Sequence, residues 1–182
     1  MIKTKKLALT ALFIAICIVL PIAFHTIPNA GAIFLPMHIP VLMCGLICGW
    51  PYGLFCGILG PLLSSLLTGM PPVAFLPAML CELAVYGFVT GLLVNRIQTG
   101  KRIIDLYIPL VCAMLAGRVF YGIMNALIFK AGSYSLAIWL TSAFVTSVPG
   151  ILIQLMLVPF LVNILQKSGL VDRFLQIKKQ KA

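Results

Sequence analysis

Acidic side chains are nearly absent from this chain. Three Asp and Glu residues occur among 182, and charged residues of both signs make up only 9% of the total. A soluble domain typically carries about a quarter of its residues as charged side chains. Because 62% of the residues are hydrophobic, too few charges remain to build a water-facing surface. The composition excludes an ordinary soluble protein and predicts an integral membrane protein.

Residue types that bind metals and nucleotides are also scarce. The chain has two histidines, and its six cysteines all fall within apolar runs. We interpret these cysteines as small apolar packing residues and expect no metal site and no cofactor. The sequence contains no Gly-rich loop that ends in Lys-Ser or Lys-Thr, so ATP hydrolysis by that route is not expected. We predict that the protein is not itself an enzyme.

Basic residues outnumber acidic ones, which gives a net charge of +10. They gather near residues 3–6, 96–102 and 167–181, and only Arg118 and Lys130 lie elsewhere. Basic clusters that flank apolar runs mark the cytoplasmic ends of membrane spans. The excess charge therefore indicates topology, and we expect no nucleic-acid partner.

Apolar runs of spanning length predict one all-α domain of six transmembrane helices. A proline disfavours helix in the residue before it, so the long second run is divided at Trp50-Pro51. Six spans with a cytoplasmic N-terminus and C-terminus place 11 of the 13 basic residues inside, whereas a five-helix topology would put a basic cluster outside. The predicted spans are about 7–24, 39–50, 52–67, 73–95, 106–129 and 136–165.

Two charged residues fall in the middle of predicted spans. Glu82 is the only acidic residue inside a span, and an ionised side chain in hydrocarbon costs several kcal/mol. Arg118 lies on the following helix at a similar depth, about 15 Å below the outer end. Two interpretations remain open, a structural ion pair and a pair that lines a ligand cavity.

Further polar residues are candidates for ligand contact. Arg118, Tyr121 and Asn125 follow helical spacing, so they share one face that we expect to point to the protein interior. His38 lies in the predicted first outer loop, where a solvated histidine is the alternative. Trp139 flanks the predicted last outer loop, where an interfacial anchor is the alternative.

Small residues recur every four positions in three regions, one of which contains Gly87 and Gly91 on the fourth predicted helix. Gly45 and Gly49 have this spacing, and so do Ala11 and Ala15 on the first predicted helix. Rows of small residues let helices approach closely. Both packing within the bundle and docking of another membrane protein are consistent with this pattern.

The stretch FLPMHIPVLMCGLICGWPYGLFCGILGPLLSSLLTGMPP, followed by LPAMLCELAVYGFVTGLL, resembles the substrate-binding S components of energy-coupling factor (ECF) vitamin transporters. The similarity extends over about residues 6–166. It implies a protein of the prokaryotic plasma membrane that binds one micronutrient in an outward-facing pocket beneath the first and third outer loops. It also implies docking on an energising module, which consists of a transmembrane coupling protein and two ABC-type ATPases.

The resemblance also implies roles for particular residues. The family's Ala-xxx-Ala docking motif maps onto Ala11 and Ala15, with Ala8 one turn earlier, and Gly45 and Gly49 would complete that surface. The ligand would be a B-group vitamin, with pantothenate favoured over pyridoxine-type compounds and cobalamin because arginine pairs well with a carboxylate. The residues expected to line its pocket are Glu82, Arg118, Tyr121, Asn125, His38 and Trp139.

Two other functions compete with this one. A self-sufficient secondary transporter would use Glu82 as its proton site, but many such folds are built from inverted repeats and none is visible here. A membrane enzyme would need Glu82 and the two histidines to converge, which their predicted depths oppose.

Overall fold

The computed structural model describes residues 3–24, 26–27, 29–97, 99–130, 132 and 134–169, and all of its regular elements within these residues are helices. Two of these helices continue into π-helical turns, which are Asn125–Phe129 and Thr141–Val145. In chain order the helices are α1 (Lys3–Ala23), α2 (Ala30–Phe34), α3 (His38–Cys48), α4 (Trp50–Thr68), α5 (Leu76–Arg96), α6 (Arg102–Met124), α7 (Leu136–Leu140) and α8 (Val148–Lys167).

Six of the described helical stretches are long and apolar enough to cross a membrane, which confirms the predicted all-α bundle of six spans. They are Lys3–Ala23, Ala30–Cys48, Trp50–Thr68, Leu76–Arg96, Arg102–Phe129 and Val148–Lys167. Successive spans run in opposite directions, so Lys3, Arg96, Arg102 and Lys167 lie at one end of the bundle, which we call the basic end. The opposite end, which we call the far end, carries α2, the α4–α5 turn and α7. The basic tail predicted beyond residue 169 lies outside the described residues.

α3 forms the centre of the bundle. In the most apolar part of the second span, which includes α3, 72% of the residues are buried, against 22–44% of the residues in the other five spans. A helix that is apolar on every face can only be stable with protein or lipid around it, and α3 packs against α1, α4, α5 and α8. The outside of the bundle is apolar as well, since Leu66, Leu127 and Met156 are each more than 70% exposed. Such side chains fit a lipid bilayer.

The break between α3 and α4 lies two residues earlier than predicted. α3 ends at Cys48, and Gly49 adopts a φ of 94°, a conformation that glycine accepts without strain. Trp50 then begins α4 with Pro51 in its first turn. A proline is tolerated there because its missing N–H would have no helical partner in any case.

The predicted bounds of the last span are wrong. The run 136–165 contains two helices, the ten-residue stretch Leu136–Val145 and the spanning helix α8. Residues 146–147 form a turn, and Pro149 lies in the first turn of α8, where a proline loses no helical hydrogen bond. The chain therefore bends near Ser147, and Leu136–Val145 stays at the far end of the bundle because it is too short to cross the membrane.

Glycines let α3, α4 and α5 approach one another closely. A Cβ atom on Gly87 of α5 would collide with the carbonyl group of Gly53 on α4, and one on Gly45 would lie 2.8 Å from the Gly87 carbonyl oxygen. Gly45 and Gly49 are both buried. The prediction that these two residues belong to an exposed docking surface is therefore wrong. Gly45 is packed against the backbone of α5, and Gly49 is covered by the Asn95 side chain.

Gly87→Ala is expected to lower the thermal unfolding temperature of the detergent-purified protein. The added methyl group must push α5 away from α4, and overpacking of a core typically costs about 1–3 kcal/mol. Gly31→Ala is the matched control, since a Cβ atom there would have nothing within 4 Å. Equal melting temperatures for the two variants would contradict the close contact between α4 and α5.

Candidate functional site

A cavity of about 490 Å³ lies at the far end of the bundle. The end of α1, the α2 segment and the start of α3 form one side, and the α4–α5 turn with parts of α5 and α6 forms the other. Its volume is within the usual range for small-molecule sites, which are mostly apolar with a few polar groups. Apolar residues of its wall include Phe24, Leu35, Met37, Met70, Phe75 and Met79.

Three helices each contribute one charged or titratable side chain to a buried polar cluster in the cavity wall. Arg118 Nη1 on α6 lies 3.2 Å from Glu82 Oε1 on α5, and His38 Nε2 on α3 lies 3.7 Å from the same oxygen. The exposed fractions are 1% for His38, 3% for Glu82 and 5% for Arg118. This geometry is consistent with both interpretations of the two charges, the ion pair and the cavity wall, since Glu82 and Arg118 form an ion pair and also line the cavity.

His38 is placed differently from the prediction. It is the first residue of α3 and not a loop residue, and it is almost completely buried in the cavity wall, which excludes the alternative of a solvated histidine. The helix begins here although Pro40 follows two residues later, because a proline in the first turn loses no helical hydrogen bond. This early start brings the imidazole down to the level of Glu82.

Tyr86 is a member of the cluster that the sequence reasoning missed. Its side chain is fully buried, and its ring meets the His38 ring edge-on with 5.1 Å between centroids. A Cβ atom on Gly117 would collide with the Tyr86 ring, so this glycine makes the space for the phenol beside Arg118. The signal available in the sequence is the spacing from Glu82, since residues four apart share a helix face.

Several polar atoms of the cluster lack hydrogen-bond partners within the part of the chain that the structure describes. They are both ring nitrogens of His38, Oε1 of Glu82, the hydroxyl of Tyr86, and Nε and Nη2 of Arg118. The 3.7 Å between His38 and Glu82 is too long for a hydrogen bond. Buried polar groups are normally paired, and an unpaired one costs about 1–3 kcal/mol. The surplus of donors makes this end of the cavity suited to a polar or anionic group of a ligand.

The remaining predicted site residues divide into two groups. Tyr121 lines the cavity, and Ser142, which was not predicted, lines it too. Asn125 and Trp139 lie outside the lining, so the prediction that they line the pocket is wrong. The Asn125 amide donates to the Tyr121 carbonyl oxygen at 2.9 Å, and Trp139 Nε1 donates to the Arg118 carbonyl oxygen at 3.0 Å. Both side chains therefore donate their hydrogen bonds to backbone carbonyl groups of α6.

Trp139→Phe is expected to weaken ligand binding about two- to tenfold. The variant keeps an aromatic ring against Gly122 but loses the hydrogen bond to the Arg118 carbonyl, and such a bond contributes about 0.5–1.5 kcal/mol. Trp50→Phe is the matched control, because Trp50 is 43% exposed and lies at the basic end. Equal affinities of the two variants would show that Trp139 does not position Arg118.

The alanines of α1 lie on the opposite side of that helix from the protein core. Ala8, Ala11 and Ala15 are exposed, whereas Phe13 and Cys17 are buried against the bundle. The three alanines form a strip of small side chains on a surface where the other exposed side chains are large and apolar. Such a strip allows the backbone of another helix to come close.

One comparison with known proteins identifies a related family. A family model described as "ECF transporter, substrate-specific component" matches residues 5–162 of the chain. This match covers most of the described spans and both walls of the cavity. Comparisons with curated proteins and with solved structures gave no match.

Proposed function

Because the chain belongs to the family of ECF transporter substrate-specific components, we propose that it captures a B-group vitamin outside the cell and delivers it to an ATP-driven energising module. Membership of the family makes the chain a membrane-embedded, substrate-binding transport subunit. The observation that supports the proposal best is the 490 Å³ cavity with Glu82, Arg118 and His38 in its wall.

The size of the cavity narrows the choice of vitamin. Its volume of about 490 Å³ lies in the lower part of the range of about 300–1,000 Å³ that is typical of small-molecule sites. Pantothenate and pyridoxine-type compounds are of this size, whereas cobalamin is several times larger. The donors of Arg118 favour a ligand with a carboxylate. We therefore place pantothenate first and cobalamin last.

The proposed orientation puts the basic end of the bundle in the cytoplasm of a prokaryotic-type cell. This assignment follows from the positive-inside rule, and it makes the cavity at the far end open toward the outside. The exposed strip of Ala8, Ala11 and Ala15 is the proposed docking face for the transmembrane coupling protein, which carries two ABC-type ATPases.

Uptake of labelled vitamin by cells tests this function. Cells that express the chain together with the energising module of its own organism are expected to accumulate the vitamin, and cells that express the chain alone are not. A matched control uses a module whose ATPases cannot hydrolyse ATP. Accumulation by the chain alone, driven by a proton gradient, would instead support a secondary transporter that uses Glu82.

A further inference from the structure

Glu82 lies between two basic side chains, and only one of them carries a permanent charge. Its Oε1 is 3.2 Å from Arg118 and 3.7 Å from His38. Among the described residues that line the cavity, the titratable side chains are these three and Tyr121. With His38 neutral, the formal charge of the lining is zero before any ligand enters.

We propose that the substrate carries one carboxylate, that this carboxylate replaces Glu82 as the partner of Arg118, and that His38 takes up one proton and becomes the new partner of Glu82. The proton comes from solvent, and no covalent bond other than N–H is formed. This inference rests on the proposed function, since it concerns the same cavity. It describes how the binding step is linked to a proton and involves no proton-driven transport.

Charge balance is the first argument for this exchange. A carboxylate that enters the cavity brings the net charge of the cavity and ligand together to −1 unless a proton enters as well. An uncompensated ion costs several kcal/mol when it is buried in apolar surroundings, and the wall here is mostly apolar. Histidine is the side chain that ordinarily titrates closest to neutral pH, so His38 is the group that accepts a proton at the lowest cost.

The arrangement of the helices is the second argument. The charged and titratable groups that face His38 are Glu82 and Tyr86 of α5 and Arg118 of α6, while α1 adds only Pro21 and Phe24 to the lining. Closing the 3.7 Å gap to hydrogen-bond distance needs a shift of Glu82 of less than about 1 Å. Both ring nitrogens of His38 are without hydrogen-bond partners among the described residues, so His38 Nε2 can donate to Glu82 without breaking an existing hydrogen bond.

Isothermal titration calorimetry in two buffers of different ionisation enthalpy measures the proton directly. The probes are vitamins paired with neutral analogues: pantothenate with pantothenol, nicotinate with nicotinamide, and biotin with biotinamide. We expect the carboxylate member of one pair to bind with uptake of about one proton, and its affinity to fall about tenfold per pH unit above neutral pH, the limit for one linked proton. The neutral analogue is expected to bind more weakly and without proton uptake.

Variants separate the proposed exchange from a structural ion pair. Glu82→Gln leaves Arg118 without its counter-ion, so the carboxylate should bind at least as tightly as to the wild type at about pH 8, with no proton uptake. His38→Gln should lose proton uptake and bind at least tenfold more weakly near neutral pH. Tyr107→Phe is the control, because Tyr107 is exposed on α6 and lies outside the cavity lining, and it should keep the wild-type affinity and the uptake of one proton.

Each other outcome overturns the inference. Carboxylate binding without proton uptake contradicts it, and so does uptake that persists in His38→Gln, which would assign the proton to Glu82. Binding of only a neutral or cationic vitamin, such as pyridoxine or thiamine, also contradicts it but leaves the proposed function intact. If no vitamin binds, the proposed function fails, and this inference fails with it.

Discussion

Replacing Arg118 by Met together with Glu82 by Gln is expected to abolish tight ligand binding and to leave the bundle folded. Loss of one partner of a buried, hydrogen-bonded charge pair costs about 2–5 kcal/mol of binding, and each 1.4 kcal/mol is about a factor of ten in affinity. A decrease of at least tenfold is therefore expected for the cognate vitamin. The measurement is a titration of the purified double variant by calorimetry.

The double variant is needed because Arg118→Ala alone mixes two effects. Removal of the guanidinium leaves Glu82 buried without its ion-pair partner, and breaking a buried pair from one side destabilises a protein by about 3–5 kcal/mol. Removing both charges avoids that cost, and melting curves verify that the fold is retained. An affinity equal to that of the wild type would give Arg118 a purely structural role.

Ala15→Trp is expected to abolish association with the energising module and vitamin uptake, while vitamin binding stays unchanged. Ala15 is exposed on α1, so the indole points out of the bundle and does not disturb the core. A close helix–helix contact built on small residues has no space for it. Co-purification with the tagged coupling protein measures docking, and calorimetry on the isolated subunit measures binding.

Cys112→Trp provides the matched control for this prediction. Cys112 is also exposed, but it lies on α6, which packs mainly against α5, whereas α1 packs mainly against α3 and α4. This variant is expected to dock normally. Normal docking of Ala15→Trp would show that α1 does not form the interface, and loss of docking in both variants would show that any bulky surface residue interferes.

The pairing of Glu82 with Arg118 can be predicted from sequence because of the membrane itself. A charge in a long apolar run has few available partners, and the arrangement of lowest free energy pairs it with the opposite charge at the same depth. The six spans are predictable for a related reason, since every backbone polar group in hydrocarbon must be satisfied within a helix. These two constraints locate the middle of the site without knowledge of the packing.

The rest of the site depends on features that hydropathy does not report. Asn125 and Trp139 have the residue types of a ligand site, but their hydrogen bonds go to carbonyl groups of α6. Tyr86 enters the cluster because Gly117 makes space for its ring, which is a contact between two helices. Contacts of this kind depend on helix rotation and distance, and one sequence contains no direct signal for either.

Rows of small residues also leave the packing open, because they do not show whether the close contact lies within the chain or with a partner. Gly45 and Ala15 both belong to small-residue rows, yet Gly45 is buried against α5 and Ala15 is exposed. The pattern predicts a close helix contact in both cases. Only the three-dimensional arrangement distinguishes a contact within the chain from a surface that is open to a partner.

We propose that this subunit holds a small vitamin in the cavity beside Glu82 and Arg118. The most direct measurement is mass spectrometry of the small molecules released when the detergent-purified protein is denatured. We expect one B-group vitamin in stoichiometric amount from the wild type and none from the Arg118→Met, Glu82→Gln double variant. Release of no small molecule from the wild type, together with no thermal stabilisation by any vitamin, would contradict the account.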